Sequence, residues 1–172
     1  MPTSRVIVIL YAFIATAYVM ATARGPASLA WATAPLLMPL LAAVVIFAAS
    51  EARRRPDVWL LVGLGLATVF DLVSPSLPVV GVAFLVACHA CYAIAFARAR
   101  WVGLGVVVLL LSDVLLAVRL SNTVDLPALA VLVAIAYVVG QALIVTAWVR
   151  RPVGASPAVP RPGTEDEVLT RR

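Results

Sequence analysis

Six apolar runs, separated by short segments rich in Arg, Pro and Gly, leave this chain few ways to fold. They are Val6–Ala23, Leu29–Ala49, Val58–Val73, Val79–Ala97, Trp101–Val118 and Leu126–Val149. A hydrocarbon core about 30 Å thick is crossed by about 20 residues of helix. Inside it every backbone N–H and C=O must bond within the protein, which a helix does segment by segment. The expected fold is therefore all-α, a polytopic transmembrane helix bundle with six spans over residues 1–151. Only 12% of the residues are charged, about half the share found in soluble domains.

The basic residues orient the bundle. All thirteen are Arg, and most lie between apolar runs or in the tail. Taking the loops alternately, one side holds Arg5, Arg53, Arg54, Arg55, Arg98, Arg100, Arg150 and Arg151, while the other holds Arg24 and Arg119. The positive-inside rule then puts both termini in the cytoplasm, with the bundle in the plasma (inner) membrane. A net charge of +5 distributed this way is a topology signal, so no nucleic-acid partner is expected. The first run ends in Ala21-Thr-Ala23, as a secretory signal does, but it exceeds the usual 7–15 apolar residues of one, so a retained helix is expected. Residues 152–172 are Pro-rich, charged and poor in large apolar side chains, the composition of a disordered cytoplasmic tail.

Against this background the polar residues inside the runs stand out. An ionisable residue within a span costs a few kcal/mol and faces a polar interior. Helical rise puts Asp71 roughly 20 Å and Asp113 roughly 18 Å from the cytoplasmic side, with His89 about 15 Å and Tyr137 about 17 Å from the other. Four runs thus bring polar groups into one shallow band. His89 and Tyr92 are three apart, and Tyr137 and Gln141 four apart, so each pair shares a helix face. An isolated Tyr, Gln or His is commonly interhelical glue, and Ser112 is expected to bond its own helix carbonyl. The carboxylates are harder to explain away, because no Arg or Lys lies inside the runs to pair with them. Apolar surroundings favour the neutral acid, the form that donates a proton.

Other features are structural. Cys88-His-Ala-Cys91 places its candidate ligands about 100° apart on successive helix positions, too divergent for a metal site, and neither metal nor cofactor is expected. Pro35 and Pro39 read as a packing kink or as an opening toward a cavity. Gly63-Leu-Gly65 and Gly103-Leu-Gly105 read as close helix contacts.

Taken in order, Ala34-Pro-Leu-Leu-Met-Pro39, Phe70-Asp71, His89-Ala-Cys-Tyr92, Leu111-Ser-Asp113, Leu115-Leu-Ala117 and Tyr137 with Gln141 resemble the YhhN-like lysoplasmalogenase family. The resemblance covers most of residues 30–150. It implies an enzyme that cleaves the vinyl ether bond of lysoplasmalogens, lipid substrates within the bilayer, to a fatty aldehyde and a glycerophospho-base. Members usually carry Lys where Ala34 stands and Gly where Phe70 stands. They look like eight-helix proteins, so this chain is a shortened member lacking two helices between Arg100 and Trp101.

The resemblance implies Asp71 and Asp113 as a carboxylate acid–base pair, as in glycoside hydrolysis, with the two roles left open between them. His89 is the third catalytic candidate, orienting water or relaying a proton; Tyr92, Ser112, Tyr137 and Gln141 are expected to position substrate. Two rivals fit the same residues. Carboxylates and a His near the midplane also make a proton pathway, hence a small proton-coupled transporter, although no inverted repeat is visible. A non-catalytic, shortened family member is the other.

Overall fold

The computed structural model describes residues 2–53, 55–96, 103–120 and 127–150. Among them are six helices and no strand: α1 (Thr3–Arg24), α2 (Ala27–Glu51), α3 (Val58–Val73), α4 (Pro78–Phe96), α5 (Gly103–Leu120) and α6 (Pro127–Val149). The six runs are thus six helices. Three of them, α1, α2 and the stretch Ala128–Val149 of α6, are long and apolar enough to cross a membrane. The apolar stretches Val58–Val73, Val79–Ala95 and Gly105–Leu116 are shorter. The expected tail and the Arg100–Trp101 junction lie outside the described residues.

Local chemistry sets the boundaries. Pro78 and Pro127 open α4 and α6, where a missing N–H costs nothing and a fixed φ suits the first turn. Asp57 caps α3, its carboxylate accepting from the N–H groups of Trp59 at 3.0 Å and Leu60 at 3.3 Å. Asp57→Ala is expected to lower the stability of the purified protein by about 1 kcal/mol, read as a fall in Tm in detergent. At the same end of the bundle, Glu51, the last residue of α2, accepts from the backbone N–H and hydroxyl of Ser4, so the end of α2 caps the start of α1. Helix α2 continues through both Pro35 and Pro39.

The helices pack as hairpins: α1 on α2, α3 on α4 and α5 on α6, with α2 also against α3. Helix α6 joins the hairpins. It packs on α1, α2 and α5, and Tyr11 of α1 donates to its Val138 carbonyl at 2.9 Å. Side-chain bonds from Tyr137 and Gln141 reach α3 and α4. Every other helix therefore meets α6.

Glycines allow the closest approaches. A Cβ on Gly140 would stand 2.9 Å from the Leu109 backbone nitrogen, and one on Gly105 would stand 2.9 Å from that of Ile144. Gly63 leaves room for the Tyr92 ring, which a Cβ would meet at 2.5 Å. Gly65, in contrast, has nothing within 4 Å, so only the first member of the Gly63-Leu-Gly65 pair serves packing. Large apolar side chains such as Phe13, Val79 and Val86 face outward, as the surface of a membrane protein requires.

The core occupies one half of the bundle. Leu37, Met38, Leu60, Leu64, Leu109 and Ile144 are buried to 1% exposure or less. Leu60, Leu64, Leu109 and Ile144 lie toward the end that carries Arg53, Arg55 and Arg150, with Leu37 and Met38 near the middle of α2.

Candidate functional site

The other half holds a cavity of about 390 Å³, bordered by α1, α2, α3, α5 and α6. Small side chains of α2 (Ala27, Ala30 and Ala34) form one wall, and Tyr18, Trp31 and Phe70 add aromatic faces. These α2 residues all precede Pro35, and neither Pro35 nor Pro39 is among the lining residues. The polar part of the lining comes from α3, α5 and α6: Asp71, Ser112, Asp113 and Tyr137. Four of the seven residues singled out from the sequence therefore border a single space.

Each carboxylate has a different neighbour. The Tyr137 hydroxyl donates to Asp71 Oδ2 at 2.9 Å, joining α6 to α3. Asp113 Oδ2 lies 2.9 Å from His89 Nε2, joining α5 to α4. That contact has ion-pair length but is aligned too poorly for a hydrogen bond. The other ring nitrogen, Nδ1, is 2.8 Å from the Leu85 carbonyl. A carbonyl only accepts, so Nδ1 carries a hydrogen, while Nε2 faces the Asp113 carboxyl group without a hydrogen bond among the described residues. The sequence offered Asp113 no Arg or Lys, and the fold supplies an imidazole instead.

His89 backs the cavity without lining it, since one nitrogen faces Asp113 and the other the helix backbone. Tyr92 and Gln141 lie in the packed half, each 1% exposed, and the Tyr92 hydroxyl donates to Gln141 Oε1 at 2.8 Å. Neither borders the cavity. The His89 and Tyr92 rings meet edge to face with centroids 6.5 Å apart, so their shared helix face runs from site to core. Cys88 and Cys91 are buried free thiols on the same helix.

Ser112 corrects an expectation. Its hydroxyl donates at 3.1 Å to the Val133 carbonyl of α6, and not to a carbonyl of its own helix. The close α5–α6 crossing at Gly105 and Gly140 brings that neighbouring backbone within reach. The aromatic and small wall residues were not singled out from the sequence, where nothing separates them from lipid-facing side chains.

Tyr137→Phe removes the one hydroxyl that holds Asp71. It is expected to cost about 1 kcal/mol of stability, read as a fall in Tm of the purified protein in detergent.

Residues 29–102, somewhat under half of the chain, match the model described as the YhhN family, which supports membership of that family. No curated protein and no solved structure matches the chain.

Proposed function

Taking YhhN-family membership as the premise, we propose that this protein is a membrane hydrolase that cleaves the vinyl ether bond of lysoplasmalogen-type lipids. One observation carries the reading: two carboxyl groups, Asp71 and Asp113, border one cavity between membrane helices and differ in their partners. In this reading all six helices cross the inner membrane, with the Arg-rich end and both termini in the cytoplasm.

The partners divide the labour. Asp71 is held by a neutral hydroxyl, with no cation bonded to it among the described residues, and is the group that brings a proton to the reaction. Asp113 faces an imidazole able to carry positive charge, which suits it to act as a carboxylate. Asp71 delivers its proton to the β carbon of the double bond, leaving an oxocarbenium ion at the α carbon. Asp113 stabilises that cation and takes a proton from the water that attacks it, as paired carboxylates do at a glycosidic centre. The product is a hemiacetal. Asp71, now ionised, removes its hydroxyl proton while Asp113 returns one to the glyceryl oxygen. The carbon–oxygen bond breaks, the aldehyde and the glycerophospho-base leave, and both groups regain their starting states.

His89 acts through Asp113 as a positioning residue, and Tyr137 does the same for Asp71. Ser112 lines the substrate space, while Tyr92 and Gln141 hold α4 against α6 beneath it. The packed half of the bundle favours hydrolysis over transport, since a permeating solute has to pass Leu64, Leu109 and Ile144. The test is aldehyde release from a lysoplasmenyl phospholipid by the purified protein in detergent. Stoichiometric aldehyde supports the reading; none from folded protein across head groups and pH sinks it.

A further inference from the structure

The two ends of the bundle differ in a way that gives the cavity a direction. Its border includes Gly25, between α1 and α2, and Ser74, which ends α3. It also takes in Ala27, in the first turn of α2, and Ala130, in the first turn of α6. All four belong to one end of the antiparallel bundle. The opposite end carries Arg5, Arg53, Arg55 and Arg150, each exposed. Between that end and the cavity lies the packed half, including the Tyr92–Gln141 pair. Clustered Arg marks the cytoplasmic side of a membrane protein. Among the described residues the cavity border reaches the far end, and a packed core separates it from the Arg-rich end.

We propose that the cavity is entered from the extracytoplasmic side, so that its lipid comes from the outer leaflet of the membrane and its products leave to that side. The lipid nature of the ligand rests on the hydrolase reading; the direction rests on the position of the cavity and the charge of the two ends. Depth supports it as well. Asp71 is two residues from the end of α3, hence about 3 Å of helix from that boundary. A lipid lying in the outer leaflet meets the carboxyl groups without crossing the midplane.

The experiment uses cysteine variants of the full chain in membranes of known sidedness. Thr22→Cys and Ala30→Cys place a thiol on the cavity wall, and Ala52→Cys places one on the exposed turn at the Arg-rich end. The native Cys88 and Cys91 are buried. The probe is a membrane-impermeant methanethiosulfonate bearing a quaternary ammonium, whose charge suits a cavity bordered by two carboxyl groups. In right-side-out vesicles the wall cysteines are expected to be labelled and Ala52→Cys to be spared, with the reverse in inside-out vesicles. A non-hydrolysable lysophosphatidylcholine ether is expected to slow labelling of the wall alone.

Wall labelling confined to inside-out vesicles overturns the proposal, as does labelling of wall and turn from the same side. Two wall positions guard against one variant failing to fold. If both fold and neither is labelled from the outer side, the proposal is overturned as well. Failure of the hydrolase reading looks different: the wall is labelled from the outer side, yet the purified protein releases no aldehyde.

Discussion

Asp71→Asn is expected to slow aldehyde release by about 10²–10⁴-fold, with little change in folding. The amide keeps the size of the side chain and an oxygen that still accepts from the Tyr137 hydroxyl, so the α3–α6 bond survives. What disappears is the transferable proton. Asp113→Asn loses activity for the complementary reason. Its amide N–H can donate to His89 Nε2 while Nδ1–H remains on the Leu85 carbonyl, so the local structure tolerates it, yet nothing takes the proton from water. Initial rates of aldehyde formation, with Tm and elution volume as folding controls, decide both. A variant that folds and turns over at near the wild-type rate removes that carboxyl group from the mechanism.

Gly140→Val is expected to have the largest effect on stability. Even the first added carbon would stand 2.9 Å from the Leu109 backbone nitrogen and 3.1 Å from its Cα. The obstacle is backbone, which cannot rotate aside, so α5 and α6 must separate. Overpacking of this kind costs about 1–3 kcal/mol. The separation also draws Ser112 away from the Val133 carbonyl and shifts Asp113, so activity is expected to fall further than the loss of folded protein explains. Gly65→Val is the control: its Cβ meets nothing within 4 Å, and its Tm is expected to stay near that of the wild type. Equal Tm values for the two variants would show that the crossing is looser than the geometry implies.

Most of the fold can be read from the chain because its signals are local. Val58–Val73 is both an apolar run and a helix, and the other five runs differ from their helices by no more than three residues at either end. Gly25-Pro26, Asp57 and the Ser74–Pro78 segment stop or start helices through backbone chemistry that needs no tertiary context. Asp71 and Asp113 are legible for a similar reason, since the cost of burying a carboxyl group belongs to the residue itself. Their partners are not. That His89 faces Asp113, or that Ser112 reaches Val133 on the next helix, depends on which helices are neighbours and how they are rotated. Equal depth suggested one site for seven residues, but depth says nothing of rotation, and Tyr92 and Gln141 turn into the core while Asp71 and Tyr137 border the cavity.

The helix that meets all the others is also the last of the six to be synthesised. Until α6 leaves the translocon, Asp71 and Tyr92 lack their hydroxyl and amide partners, and Tyr11 has no carbonyl to bond. In a chain stopped after α5 those bonds are unmade, and in the proposed six-span topology each polar group left unsatisfied in lipid costs several kcal/mol. One helix thus satisfies polar groups on three others together. The same bonds give the cell a simple criterion for quality control, because an intermediate without α6 advertises its incompleteness within the bilayer.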